Sequence, residues 1–185
     1  MRLQICKYKV ILHKKSTRRK NKLGDRSGSM KNMKKKLCFA ASAGGHFEQL
    51  SMLKPLMDRY DSCVVTEKTD YKRIIDGHKM YYMHQVNRKE IFMPFWMVVN
   101  SLKSLRILAV EKPDMIITTG VLAMIPLCLL GKILGKKLVY IESFAKVTSP
   151  TATGKLLYKL ADRFYVQWES MKEFYPNAIY LGGIY

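Results

Sequence analysis

From about residue 36 onward, apolar and polar positions follow two alternating rhythms. Leu37–Ala41, Ser62–Thr66, Met80–Met83, Met115–Thr119, Lys137–Ile141, Phe164–Gln167 and Ala178–Leu181 are short runs rich in apolar and β-branched residues. Runs of this length, bounded by turn residues, read as strands, several of them buried on both faces. Between them the period changes to about 3.6. Phe47, Leu50, Leu53 and Met57 share one helical face, and helices are also predicted over Val121–Leu134 (closed by Gly135) and Gly154–Ala161. Shorter helices are expected at Asp70–Gly77, stopped by Gly77, and at Trp168–Phe174. Gln85–Glu90 and Phe144–Thr153 are polar loops. Strands alternating with helices predict an α/β fold with a doubly wound, mostly parallel sheet.

Ile91–Val110 is the longest predicted helix, ended by Pro113. Phe95, Val98, Leu102, Leu105 and Ala109 recur at spacings that make one stripe, expected to face the core. Phe92, Trp96 and Val99 form a neighbouring face that runs into Lys103 and Arg106. Aromatics beside cations suit an interfacial membrane contact, and a helix buried on two sides gives the same pattern.

Charge separates the chain into two parts. The net charge is +19, and residues 1–36 alone hold 14 Lys/Arg against the single acid Asp25. Residues 1–35 therefore read as a basic, disordered tail, and 36–185 as one folded domain. An untidy tail, an arm for anionic lipid and a nucleic-acid arm all fit that composition. Nucleic acid lacks aromatic or motif support, so no nucleic-acid partner is expected. The four cysteines are scattered without a C-x-x-C and read as buried free thiols of a reducing compartment. No metal site is expected, because the candidate ligands lack paired spacing. The longest uncharged run, Met115–Gly131, is interrupted by Thr118, Thr119, Gly120 and Pro126 and falls short of the roughly 20 apolar residues of a spanning helix.

Chemistry concentrates at strand ends. The first strand runs into Ser42-Ala43-Gly44-Gly45-His46 and a helix start. Glycines there let the backbone turn tightly, and the helix start offers free N–H groups to an anion. A plain strand-to-helix turn has the same sequence. The fourth strand ends in Thr119-Gly120 and the fifth in Glu142-Ser143. In an open parallel sheet these carboxyl ends meet on one edge, where ligands bind. His46 exchanges a proton near neutral pH, and Glu142 reads as a base, a hydroxyl ligand or a buried ion-pair partner.

Gly44-Gly45-His46-x-Glu48, Thr119-Gly120, Val139-Tyr140-Ile141-Glu142-Ser143, Thr153-Gly154-Lys155 and Phe164-Tyr165-Val166-Gln167-Trp168 occur in that order. Together they resemble the family of the membrane-anchoring subunit of the eukaryotic dolichol-linked N-acetylglucosaminyltransferase, and within it the bacterial capsule and exopolysaccharide members. The resemblance covers about residues 36–185. It implies a Rossmann-like domain corresponding to the N-terminal, acceptor-binding half of a GT-B glycosyltransferase. It implies an acceptor on a polyprenyl diphosphate, with Gly44, Gly45, Glu48, Thr119, Gly120 and Ser143 beside it and His46 and Glu142 as catalytic groups. It implies a partner subunit holding the nucleotide-sugar donor, no cofactor bound by this chain, and a peripheral place at the cytoplasmic face of the plasma membrane. Unlike the eukaryotic pattern, the sequence has no N-terminal transmembrane helix, and Phe144-Ala145-Lys146 stands where an arginine commonly follows the Glu-Ser. After one sheet no second glycine-rich strand–helix turn remains for a nucleotide diphosphate, so the chain is expected to be inactive alone. The rival from another class is a non-catalytic accessory that recruits or stabilises the catalytic subunit.

Overall fold

The computed structural model describes residues 35–71, 73–87 and 89–185. The expected tail therefore lies outside the described residues except for Lys35. The seven strands are β1 (Lys36–Ala40), β2 (Asp61–Glu67), β3 (Lys79–Met83), β4 (Met115–Thr118), β5 (Lys137–Ile141), β6 (Arg163–Val166) and β7 (Ile179–Tyr180). They form one sheet in the order β3-β2-β1-β4-β5-β6-β7, with every pair parallel. The order reverses at β1, which pairs with β2 on one side and β4 on the other. That reversal is the switch point at which open parallel sheets leave a crevice.

Among the described residues five α-helices connect the strands: α1 (Gly45–Ser51), α2 (Lys54–Met57), α3 (Met93–Glu111), α4 (Ile125–Ile133) and α5 (Ala152–Tyr158). Short 3₁₀ turns occupy Leu122–Met124 and Glu169–Glu173. Pleating sends Cys38, Ala40, Cys63 and Val65 to one face, where they pack with Ile107 and Leu108 of α3, Leu127 and Cys128 of α4, and Leu157 of α5. The alternate residues Leu37, Phe39, Val64 and Ile117 face the other side and are fully buried, as are Leu50, Leu53 and Met57 of the α1–α2 segment. The strands read as continuous apolar runs because both faces are covered. Cys38, Cys63 and Cys128 are buried free thiols, and burial pushes Cys128 up to about 12.

Two expectations are corrected. Within Asp70–Gly77 none of the described residues is helical. The carbonyl of Arg73 accepts from the Tyr82 hydroxyl at 3.1 Å, Thr69 Oγ1 donates to the Tyr71 carbonyl at 2.7 Å, and Gly77 sits at φ 85°. Side chains thus hold this backbone in an irregular path that local periodicity does not encode.

The second correction concerns α3, whose predicted core stripe faces outward. Phe95, Val98, Leu102 and Leu105 are 58%, 60%, 63% and 45% exposed. The buried side carries Asn100, Ser104, Ile107, Leu108 and Glu111, with Met93, Trp96 and Met97 packed alongside. Three of these look like surface residues, yet each has partners inside. The Asn100 amide accepts from the His84 N–H at 2.8 Å and donates to its carbonyl at 2.9 Å. Ser104 donates to the Asn100 carbonyl at 2.7 Å. Glu111 meets Lys36 and Lys79 and accepts from the Tyr81 hydroxyl. A helix that is apolar on both sides gives one period and two possible inner faces; satisfied polar groups, invisible to the period, choose between them.

Candidate functional site

A cleft of about 640 Å³ opens at the carboxyl edge of the sheet. Every strand from β1 to β5 supplies part of its wall: Ser42 and His46 after β1, Glu67 at the end of β2, Gln85, Val86, Asn87, Lys89 and Glu90 after β3, Val121 and Leu122 after β4, and Tyr140 of β5, with Thr151 and Thr153 at the entry to α5.

Gly44 makes the turn out of β1. Its φ of 79° is a left-handed value that favours glycine, and its carbonyl accepts from the N–H groups of Phe47 and Glu48 at 2.9 and 3.2 Å. A Cβ at Gly45 would meet nothing within 4 Å, so the space above the first turn of α1 is open. Across the crevice, Thr119 Oγ1 donates to the His46 carbonyl at 3.1 Å, while the Thr119 N–H donates to the Ala40 carbonyl at 3.2 Å. Those two bonds tie the β1 and β4 turns together. Gly120 has φ 94°, and a Cβ there would lie 2.6 Å from the Tyr140 hydroxyl. Val121 next to it is held at φ 121°, a strained value for a β-branched residue, at the cleft wall.

His46 lines the cleft, and its Nδ1 is buried with no hydrogen-bond partner among the described residues. Burial holds its pKa below the ordinary histidine value, partly offset by the Thr119 backbone and the Glu142 charge. At neutral pH the imidazole is uncharged and competent to take a proton from a hydroxyl. Glu67, which also lines the cleft, is nearly enclosed, and burial raises its pKa although Oε2 accepts from the Ala43 N–H at 3.3 Å. Neutral imidazole and elevated carboxyl thus border the same space.

Glu142 is placed differently from the expectation. It is fully buried, and its carboxylate is ringed by donors: Tyr175 Oη at 2.8 Å, the Ser143 N–H at 2.9 Å, Thr151 Oγ1 at 3.0 Å and Tyr140 Oη at 3.3 Å. Its own carbonyl accepts from Gln49 Nε2 at 3.0 Å and Gln167 Nε2 at 2.9 Å. In this arrangement Glu142 does not reach a substrate; Tyr140 and Thr151 stand between it and the cleft. Its chemistry is transmitted instead. A carboxylate only accepts, so it draws the hydroxyl protons inward. Tyr140 and Thr151 thus line the cleft with their hydroxyls held by the buried carboxylate behind them, and Thr151 Oγ1 also accepts from the Gly154 N–H at 2.8 Å. Burial, then the Glu142 charge, keeps the Tyr140 phenol protonated.

The remaining candidates divide between the cleft and other surfaces. Gly44, Gly45, Thr119, Gly120 and Ser143 cluster at this edge. Glu48 is exposed and ion-paired with Arg73, which lies over the Phe47 ring, and it does not line the cleft. Phe92 is exposed at the start of α3, whereas Trp96 is half-buried and stacked on His84 with centroids 3.7 Å apart. Lys103 reaches back to the Tyr82 carbonyl at 3.3 Å, and Arg106 is exposed. Sequence reasoning passed over Glu67, Tyr140, Thr151 and the Gln85–Glu90 loop. The strand-end rule applied to Thr119 and Glu142 would have found Glu67, which closes β2 in the same way.

A family model described as "Oligosaccharide biosynthesis protein Alg14 like" matches residues 57–184. The "UDP-N-acetylglucosamine transferase subunit alg14" of Schizosaccharomyces pombe is 30% identical over 182 residues, covering 85% of this chain and 87% of that protein. The "UDP-N-acetylglucosamine transferase subunit ALG14" of Rattus norvegicus is 34% identical over 119 residues, 58% of this chain and 55% of the relative. The chain thus spans about half the length of the rat relative it matches. Among solved structures, MurG of Acinetobacter baumannii superposes with TM-score 0.56 at 17% identity, over 71% of this chain and 41% of that one. UDP-N-acetylglucosamine 2-epimerase from Rickettsia bellii superposes with TM-score 0.63 at 12% identity, over 82% and 45%. At such identities these two share the fold alone.

Proposed function

Because the chain belongs to the Alg14-like family of oligosaccharide biosynthesis proteins, we propose that it is the acceptor-binding, membrane-associated subunit of a two-component glycosyltransferase. The enzyme would add a sugar from a nucleotide sugar to a glycan carried on polyprenyl diphosphate, in capsule or exopolysaccharide assembly. The observation that carries this reading is the cleft at the switch point, lined by His46, Glu67, Tyr140 and Thr151. The diphosphate lies over the Gly44–Gly45 turn, and the acceptor sugar offers hydroxyls to Tyr140 and Thr151. Neutral His46 accepts the proton of the attacking hydroxyl. The nucleotide-sugar donor sits on a partner subunit docked across the same edge.

Membrane contact is supplied by the outer face of α3. Ile91, Phe92, Phe95, Val98, Leu102 and Leu105 are exposed, and Lys103 and Arg106 flank them. From Phe95 to Leu105 this stripe runs about 15 Å along the helix. Among the described residues no helix is long and apolar enough to cross a membrane, and a helix lying in the interface suits the cytoplasmic leaflet. Such a placement brings the Gln85–Glu90 loop of the cleft, which leads into α3, close to the lipid-borne acceptor.

The sealed position of Glu142 is also what a non-catalytic accessory would show. The test is a transfer assay with a panel of UDP-sugars and a polyprenyl-diphosphate-linked acceptor, run with this chain, its partner subunit, and both. Turnover only with both, lost in His46→Ala while the complex persists, supports the proposal. Full turnover with His46→Ala supports the accessory role.

A further inference from the structure

A second cavity, of about 400 Å³, lies between the edge strand β3 and α3 and shares no residue with the acceptor cleft. Tyr81, Tyr82, Lys103, Arg106, Ile107 and Val110 line it. We propose that this groove binds the phosphate headgroup of an anionic phospholipid. The proposal rests on the membrane reading of α3 and adds to it a defined lipid site.

The groove has the two halves such a ligand needs. Its apolar lining is Ile107, Val110 and the ring of Tyr81, whose hydroxyl is turned away to Glu111. Its wall is cationic. Lys103 and Arg106 are three apart, so both project from one side of α3. The Lys103 ammonium is fixed at the groove by the Tyr82 carbonyl at 3.3 Å. Arg106 makes no ion pair among the described residues, leaving its planar fork free for phosphate oxygens. The buried acid nearest by, Glu111, is already matched by Lys36 and Lys79, so it does not cancel these charges. Burial, then Lys103 and Lys68, keep the neighbouring His84 below its ordinary pKa, which agrees with a positive local field.

Position selects a lipid over a free anion. Leu102 and Leu105, each next in sequence to a groove cation, are 63% and 45% exposed on the outward stripe. A phosphate held by Lys103 and Arg106 therefore leaves its glycerol and acyl chains beside exposed leucines. From Lys103 to Val110 the groove extends about 10 Å along the helix, the scale of one headgroup with its glycerol. Inorganic phosphate would gain nothing from the apolar lining.

The experiment is an amide NMR titration of the full chain with dihexanoyl phosphatidylglycerol below its micelle concentration. Dihexanoyl phosphatidylcholine and inorganic phosphate serve as the comparison probes. The proposal expects saturable shifts at Tyr81, Tyr82 and Lys103–Val110 with phosphatidylglycerol, and binding at least tenfold weaker to the other two. Arg106→Gln, and Lys103→Gln with Arg106→Gln, should weaken phosphatidylglycerol binding at least tenfold while leaving the remaining spectrum in place. Equal response to phosphatidylcholine or phosphate, shifts that map elsewhere, or unchanged affinity in both variants overturns it. Flotation with vesicles of phosphatidylcholine and phosphatidylglycerol at high salt, comparing Phe95→Ser/Leu102→Ser with the native chain, tests the membrane reading separately. If that variant loses flotation while the groove variants titrate normally, the helix meets the bilayer and the groove is not a headgroup site.

Discussion

Replacing Gly154 by alanine tests whether the buried Glu142 cage holds the cleft wall in place. Gly154 sits in the first turn of α5, and its N–H donates to Thr151 Oγ1 at 2.8 Å, the N-cap bond of that helix. A Cβ there would lie 2.2 Å from Glu142 Oε2, 2.5 Å from the Tyr175 hydroxyl and 2.7 Å from Thr151 Oγ1. None of the three can move alone, because each is bonded to another. Overpacking of this kind costs about 1–3 kcal/mol. Pulling a hydroxyl off a buried carboxylate costs about 1.5–3 kcal/mol more. The better helix propensity of alanine returns only about 0.5–1 kcal/mol. The net expectation is a loss of about 3 kcal/mol, or roughly 10 °C in melting temperature for a chain of this size. Urea denaturation monitored at Trp168, with Gly45→Ala as the open-space control, gives the measurement. In a Tyr175→Phe background, where one of the crowded atoms is absent, Gly154→Ala should cost less. Native-like stability of Gly154→Ala in the native background would refute the cage.

His46→Ala in the assembled enzyme should lower turnover by roughly ten- to ten-thousandfold without changing abundance. Because burial lowers its pKa, His46 stays neutral until pH falls below about 6.5; activity should hold through neutrality, and this residue's share of stability should fall on acidification below that point. Glu67 has the opposite sign: burial raises its pKa, so its contribution to stability is full below about pH 4.5 and is lost as pH rises through the folded value. Glu67→Gln should therefore raise the melting temperature at pH 7 while reducing transfer, which differential scanning fluorimetry and the coupled assay read together. Burial alone would raise the Asp162 pKa, but the Leu138 N–H, Lys132 and Lys137 bring it down to about 2. Asp162→Asn should cost about 1–2 kcal/mol at pH 7, a difference from native that shrinks as pH falls from about 4 toward 2.

The strands were legible because burial on both faces leaves uninterrupted apolar runs. Leu37–Ala41 and Lys137–Ile141 differ from β1 and β5 by at most one residue. The strand-end rule then brought Ser42–His46, Thr119–Gly120 and Glu142 to one edge, and the Thr119–His46 and Gln49–Glu142 hydrogen bonds realise that convergence. Depth was not legible. A glutamate after an apolar strand reads the same whether it faces solvent or, like Glu142, is closed in by Tyr175, which lies 33 residues further along the chain. Facing was not legible in α3 either, because Asn100 and Glu111 are inward by virtue of partners on β3, its flank and β1, while Ser104 is satisfied by the Asn100 carbonyl of its own helix. Long-range hydrogen bonds decide both cases, and residue spacing carries no trace of them.

The central claim is that this chain, at its own carboxyl edge, holds the lipid-linked acceptor. The direct measurement is photo-crosslinking of the assembled enzyme with a polyprenyl diphosphate sugar bearing a diazirine on the first sugar, followed by peptide mapping. The account predicts adducts in the segments containing Ser42–His46, Gln85–Glu90 and Thr151–Thr153, strongly reduced by Gly45→Val, whose side chain would fill the open space above α1. Adducts confined to the partner subunit, or unaffected by Gly45→Val, would contradict it.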